Sequence, residues 1–352
     1  MISMPNQAQR ILVINLAFIG DVLLSSPLIT VLHEAYPAAQ IDCMVIPLTE
    51  PIASRHPYVT ETLVYDKRGK HKAWRELMKL IQTVKSRHYD LAISTNFAAR
   101  GAMLAWAARI PQRIGYDAQH AGVFLTQTVS AQRPLVRHET ENYLDLLQPL
   151  GISAPKAPLD TALKLAVRPE DRASLAEKYP DLFSATSKRV KPIIALCPVG
   201  SYARKSWDEA GYLSVIADLA KDHEVLLLGG HKEAPALAAL VAASDHKALA
   251  LAGTLSLGEL AALLEQCQLL ITVDTGPLHL AQAVGTPVLA LFGPTDPAIW
   301  GPRGPRDRVF YRHEDCSPCW GKGDCREQQC MKHDAAAVIA AAREQLRNGA
   351  TL

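Results

Sequence analysis

A carboxylate follows the first apolar run of the chain. In ILVINLAFIGDVLLSSP, Asp21 sits where a buried strand should turn into a helix. An acid at that turn can cap the helix, or it can stand at a ligand site and take a proton from a hydroxyl. A second group of chemical residues comes late, in LLITVDTGPLHLAQAVG. There Asp274, Thr275, Gly276 and His279 form D-T-G-x-x-H directly after a buried run, with Pro277 in the opening turn of a helix. The free N–H groups and the dipole of such a helix start favour an anion. Thr275 adds a hydroxyl donor, and His279 can reach the same anion. The plainer reading makes Asp274 an N-cap and His279 an ordinary helical residue.

Two more loops have the same character. CPVGSYARKSWDEAGY places Ser201 and Lys205 after a strand end. A small hydroxyl and a lysine suit a diphosphate leaving group; a solvated basic loop is the alternative. Trp207 reads as an anchor at the start of the next helix. In LLLGGHKEAPAL, Gly229 and Gly230 allow close approach to the backbone, and Glu233 can accept from ribose hydroxyls or simply complement a helix dipole. These three loops follow successive strands of one half of the chain and together describe a nucleotide-diphosphate site. Neither G-x-G-x-x-G after the first strand nor G-x-x-x-x-G-K-[ST] occurs, which argues against a dinucleotide oxidoreductase and a P-loop NTPase. There is also no D-x-D triplet to suggest a divalent metal.

The elements that must carry these loops follow from periodicity. ILVINLAF (11–18), IDCMVIP (41–47), TLVYD (62–66), LAIST (91–95) and RIGY (113–116) read as buried strands, with amphipathic segments such as AWRELMKLIQTVKSRH between them. That is a βαβ pattern and implies a parallel sheet with helices on both faces. It weakens from about residue 150 through GISAPKAPLD and the polar DRASLAEKYPDLFSATSKRVKP. It resumes with the strands PIIALCPV, EVLLLGG, LLITVD and VLALFG, and AAAVIAAAREQLRN closes the chain as a helix. The expected organisation is an N-terminal domain over 1–175, a second over 176–333 and a terminal helical segment over 334–352.

The 352 residues suit two domains, and 49% hydrophobic with 20% charged residues reads as globular. A net charge of +2 gives no global bias toward nucleic acid, and none is expected as a partner. The opening MISMPNQAQR lacks a signal pattern, and no apolar run spans a bilayer, so the expected location is cytoplasmic. One local charge run stands out. Tyr65 to His88 holds eight Lys or Arg against two acids. It is either a solvated helix face or a patch for phosphate groups and anionic lipid. Lys67, Arg68, Lys70 and Lys72 belong to it, and Arg100 and Arg113 are candidates to join it.

Of seven cysteines, Cys43, Cys197 and Cys267 lie in apolar runs and read as reduced core residues. Cys316, Cys319, Cys325 and Cys330 are spaced C-x₂-C-x₅-C-x₄-C. Four thiols this close could bind zinc or iron, but reduced structural thiols are the default and no metal is assigned.

The FIGDVLLSSP turn, the segments IPQRIGY and HETENYLDLLQPLG, the long stretch from LAGTLSLGEL to ALFGPTDP, and GPRG together resemble the ADP-heptose:lipopolysaccharide heptosyltransferases, glycosyltransferase family 9. The resemblance covers nearly the whole chain, and 251–297 is its specific part. It implies an α/β fold of GT-B type, two Rossmann-like doubly wound domains facing a central cleft, with the acceptor on the N-terminal domain and the nucleotide sugar on the C-terminal one. It implies that the last helix packs back on the first domain. By matching motif, Asp21 takes the place of the general base and Lys205 that of the diphosphate lysine. Asp274, Thr275, Gly276 and His279 match the nucleotide-sugar loop, Ser201 the small hydroxyl position and Glu233 the ribose-binding acid. The implied activity is inverting transfer of heptose from ADP-L-glycero-D-manno-heptose to a phosphorylated lipopolysaccharide inner-core acceptor at the inner-membrane surface, with no cofactor required. The alternatives are the same chemistry on another nucleotide sugar or acceptor, a catalytically silent nucleotide-sugar-binding protein, and an epimerase on a similar fold.

Overall fold

The computed structural model describes residues 8–132, 137–153, 162–183, 191–200, 202–322, 325 and 327–349. The chain divides into two compact units, Met1–Ala166 and Val167–Leu352.

Unit 1 is built on β1 (Arg10–Asn15), β2 (Gln40–Val45), β3 (Thr62–Val64), β4 (Leu91–Ser94), β5 (Gln112–Asp117) and β6 (Gln127–Ser130). Its helices are α1 (Ile19–Leu24), α2 (Ser26–Ala35), α3 (Glu50–Ala53), α4 (Trp74–Ser86), α5 (Arg100–Ala107) and α6 (Glu139–Leu144). All six strands are parallel in the order β3-β2-β1-β4-β5-β6. β1 sits centrally and is covered on both faces, which is why Ile11 to Ile14 form an unbroken apolar run rather than an alternating one. On α4, Leu80 and Val84 are buried while Trp74 and Met78 stay exposed, so Arg75, Lys79 and Lys85 of the basic run lie on the outer face of an amphipathic helix.

Unit 2 repeats the plan. Its strands are β7 (Ile193–Cys197), β8 (Glu224–Leu227), β9 (Ala248–Ala250), β10 (Cys267–Val273), β11 (Val288–Phe292) and β12 (Arg308–Tyr311), parallel in the order β12-β11-β10-β7-β8-β9. Its helices are α7 (Pro169–Lys178), α8 (Pro180–Phe183), α9 (Glu209–Leu219), α10 (Ala234–Ala243), α11 (Leu257–Glu265), α12 (Gly276–Ala283), α13 (Pro297–Trp300) and α14 (Ala335–Gly349). α11 opens with a capping box: Ser256 accepts from the Glu259 N–H while the Glu259 carboxylate accepts from the Ser256 N–H.

Three expectations change. The edge strands β6, β9 and β12 have no counterpart in the sequence reading. They are short and partly exposed, so they lack the apolar run that marks the central strands. The boundary falls at Ala166/Val167 rather than at 175/176, because α7 is fastened to α11. The Arg172 guanidinium forks onto Glu265 at 2.8 and 2.7 Å, and Lys178 donates to Glu259 at 2.8 Å. The terminal helix, expected to return to the N-terminal domain, instead completes the core of unit 2 through Val338, Ala341 and Ala342. Its Arg343 donates to the Asp218 carboxylate at 2.8 Å and pairs with Asp222 at 2.5 Å, both at the end of α9.

Candidate active site

In unit 2 the chain leaves β7 toward β8 on one side and leaves β10 toward β11 on the other. The C-terminal ends of β7 and β10 are therefore neighbours at a reversal of strand order, with Thr272 beside Cys197. Ligands of such sheets bind outside the strand ends at that crevice. Lys205 follows β7 and Asp274 follows β10, and they meet there: Lys205 Nζ donates to Asp274 Oδ2 at 2.6 Å and lies 3.3 Å from the Asp274 carbonyl oxygen. Both side chains are largely shielded, 12% and 10% exposed. Gly200 makes the approach possible, since a Cβ there would stand 2.6 Å from the Cβ of Lys205. Trp207 is buried at the start of α9, against Gly211 and Tyr212.

Asp274 is thus an ion-pair partner and not a cap. Thr275 is the N-cap residue of α12 and its side chain makes no cap bond, so its hydroxyl and the amides of the half-exposed Thr275–Gly276 turn are available to an anion. His279 lies one turn in and is buried, with no hydrogen-bond partner on Nδ1. Burial lowers its pKa to about 4 against the pull of Asp274, so it acts as a neutral imidazole. Glu233 takes the N-cap position of α10 without capping it, and its carboxylate lies over Gly230. Ser201 lies outside the described residues. Tyr202, which sequence reasoning missed, places its ring 5.1 Å from Lys205 Nζ, and burial pushes its phenol up to about 12. The only signal for it was its place in S-Y-A-R-K, between two residues already chosen.

In unit 1 the strand order reverses between β1 and β4, and Asp21 follows β1. The N-cap of α1 is Phe18, and Asp21 is the third residue of the helix, so it is not the N-cap. Asn15 at the end of β1 holds the turn: its amide donates to Ser25 Oγ at 2.9 Å and to the Asp21 carbonyl at 3.2 Å, and its Oδ1 accepts from the Ala17 N–H at 3.1 Å. Tyr143 of α6 donates its hydroxyl to Asp21 Oδ1 at 3.2 Å. Burial raises the Asp21 pKa, opposed by the Tyr143 hydrogen bond and aided by the charge of Glu139. A first-turn acid is expected to be more acidic than usual; here desolvation outweighs the helix end, and the group is a better base than its position suggested. Asn15, Glu139 and Tyr143 were not picked out from sequence. Tyr143 lies 122 residues from Asp21, and no local pattern links them.

Of the six basic candidates, Lys67, Arg68, Lys70 and Lys72 are exposed around the turn before α4, where Asp66 accepts from the N–H groups of Gly69 and Lys70. Arg100 donates to the Tyr65 hydroxyl at 2.9 Å. Arg113 is different: its guanidinium is held by the carbonyls of Phe124 and Ile110. Among the described residues no helix is long and apolar enough to cross a membrane. All seven cysteines are free thiols; Cys316 is exposed and Cys330 buried, and no cluster of metal ligands forms among the described residues.

Two parallel doubly wound units, each with polar groups gathered at its reversal of strand order, make an α/β fold of GT-B type. The chain belongs to glycosyltransferase family 9 (heptosyltransferase), whose family model matches residues 77–330, and it is a glycosyltransferase of the heptosyltransferase class. It is 30% identical to lipopolysaccharide heptosyltransferase 3 of Escherichia coli across 95% of this chain and 98% of that one. It is 28% identical to lipopolysaccharide heptosyltransferase 2 of Escherichia coli (strain K12), across 86% and 87%. The crystal structure of the glycosyl transferase family 9 from Veillonella parvula DSM 2008 superposes with a TM-score of 0.85 at 25% identity, covering 97% of this chain and 98% of that one.

Proposed function

We propose that the enzyme moves heptose from ADP-L-glycero-D-manno-heptose to a phosphorylated inner-core lipopolysaccharide acceptor, inverting the anomeric carbon and requiring no cofactor. The observation that carries this is the buried Lys205–Asp274 pair at the start of α12, beside the uncapped Thr275–Gly276 turn. A shielded ammonium and free backbone donors at a helix start suit the diphosphate of a nucleotide sugar. The names of the relatives support heptose as the sugar and lipopolysaccharide as the acceptor.

In the reaction, an acceptor hydroxyl oxygen forms a bond to the anomeric carbon from the face opposite the leaving group. The bond from that carbon to the diphosphate oxygen breaks, and its electron pair leaves with ADP. Asp21 takes the hydroxyl proton, helped by its raised pKa. Lys205, Thr275 and the amides at the start of α12 hold the charge that develops on the diphosphate; Ser201 is proposed to join them and Glu233 to bind the ribose. Single displacement inverts the configuration. Lys67, Arg68, Lys70 and Lys72, with Arg100 beside them, are proposed to meet acceptor phosphates and the anionic inner-membrane surface. Trp74 and Met78, exposed on α4 after that turn, suit the membrane interface. The working location is cytoplasmic and peripheral to the membrane.

The test is transfer from ADP-heptose to a heptose-free core acceptor, followed by mass spectrometry, in the wild type and in Asp21→Asn. The variant should fold, bind ADP and lose most turnover. Wild-type turnover in Asp21→Asn would remove the base role. Donor binding without transfer to any acceptor would favour a silent binding protein, and preference for UDP over ADP would replace the donor while leaving the class intact.

A further inference from the structure

The proposed base is not alone. Asp21 is flanked by two buried side chains of α6 that the reaction as drawn does not use. Tyr143, 3% exposed, donates to Oδ1. Glu139, 4% exposed, is bonded by the Asn142 amide at 3.1 Å, and its charge reaches Asp21. α6 is itself fixed, since the Tyr116 hydroxyl donates to the Asn142 carbonyl at 2.6 Å and the helix packs on α1 and α2. Among the described residues, the other titratable groups on the helices packed against α1 have partners or are exposed; His138, the buried N-cap of α6, accepts from the Thr140 N–H at 3.4 Å. Glu50 of α3 accepts from Thr62, His33 of α2 stacks on Tyr58, Glu34 of α2 is exposed, and Glu141 of α6 pairs with Arg137.

A carboxylate on a short helix can rotate about its Cβ–Cγ bond. Hydrogen bonds from the Tyr143 hydroxyl and from the backbone of Phe18 and Asp21 remove that freedom, and only the first comes from another element. We propose that Tyr143 is a positioning residue for Asp21: its phenol, bound to Oδ1, fixes the orientation in which the carboxylate meets the acceptor hydroxyl, and Glu139 sets the charge against which Asp21 accepts the proton. This rests on the reading of Asp21 as the base. The two partners act in opposite senses. The phenol stabilises the carboxylate and makes it a weaker base; the neighbouring negative charge makes it a stronger one. Holding both beside Asp21 gives a carboxylate that is oriented without losing its basicity.

The two effects separate in a pH profile. The measurement is the pH profile of kcat/KM for heptose transfer in the wild type, Tyr143→Phe, Glu139→Gln and Asp21→Asn, with unfolding temperature and ADP affinity as controls for folding. In Tyr143→Phe the Asp21 pKa rises, so the acid limb should move to higher pH by roughly 0.5–1 unit, with kcat down roughly tenfold on the plateau from lost orientation. In Glu139→Gln the limb should move to lower pH by a similar amount. A generally loosened fold would lower both rates but would not move the limbs in opposite directions. Limbs that stay in place, or that move together, overturn the proposal while an inactive Asp21→Asn keeps the base reading. An active Asp21→Asn with an unshifted limb overturns the base reading, and the positioning role with it. If Tyr143→Phe fails to fold, 3-fluorotyrosine at position 143 replaces it: a more acidic phenol is a stronger donor, so the limb should move to lower pH, and an unmoved limb overturns the proposal.

Discussion

Replacing Lys205 tests the donor site most directly, because this lysine has two separable jobs. In the chain without donor it neutralises Asp274, at 2.6 Å and with about nine-tenths of both side chains shielded. With donor bound, it is proposed to carry the diphosphate. Breaking a fully buried pair by removing one member costs about 3–5 kcal/mol, since the remaining charge is stranded. With residual exposure of 12% and 10%, we expect ~2–3 kcal/mol from Lys205→Met. That lowers the unfolding temperature of unit 2 by roughly 5–10 °C. The binding term comes on top of this. A hydrogen bond to a charged group is worth about 1.5–3 kcal/mol, so ADP affinity should fall roughly 10- to 150-fold. Calorimetric titration with ADP and UDP reads the second effect, and scanning calorimetry without ligand reads the first. The double variant Lys205→Met with Asp274→Asn separates them, because it removes the stranded charge. It should recover most of the lost stability, and of the ADP affinity only the part lost to repulsion between the stranded carboxylate and the diphosphate. ADP affinity equal to the wild type in Lys205→Met would refute the diphosphate role. A double variant no more stable than the single one would refute the account of the pair.

Two further outcomes follow from other parts of the molecule. Glu259 ties α11 to α7, and although burial disfavours its charge, bonds from Lys178, Ser174 and Ser256 bring its pKa down to about 2 from the ordinary 4.5. A depressed folded-state value stabilises the fold at pH above the ordinary one. Glu259→Gln should therefore destabilise unit 2 at neutral pH, and urea titrations should show the gap to wild type closing as pH falls from about 4.5 to about 2. At the outer face of unit 1, changing Lys70, Lys72 and Lys79 to Gln should weaken sedimentation with phosphatidylserine vesicles. At ~1 kcal/mol per lysine the loss is on the order of 100-fold, fading as salt rises. Equal binding to neutral vesicles would remove the anionic surface as partner.

The central strands were readable because buried parallel strands are apolar on both faces, and the runs at Ile11, Ile41, Leu91, Ile193 and Leu269 satisfy that condition without tertiary information. The D-T-G-x-x-H segment was readable for a similar reason: strand end, turn and helix start are contiguous. The edge strands β6, β9 and β12 were not readable, since a short, half-exposed strand has no run to find. α14 is amphipathic in any context, but its amphipathicity does not say which sheet receives it. The packing of Val338, Ala341 and Ala342 and the reach of Arg343 to α9 decide that.

The same division holds at the site. Sequence alone marked Asp21, Lys205, Asp274 and Thr275 as chemical residues, because their types and local spacing are written in single loops. Only the fold shows that Lys205 and Asp274 are partners, since β7 and β10 become neighbours through the crossover of a parallel sheet. Only the fold turns Arg113 onto the backbone carbonyls of Phe124 and Ile110. Only the fold sets Tyr143 and Glu139 beside Asp21 and desolvates that carboxylate enough to reverse the effect of its helix end. Residue type and local spacing are properties of short segments, whereas burial and pairing across 69 or 122 residues arise only when distant segments exclude water from one another.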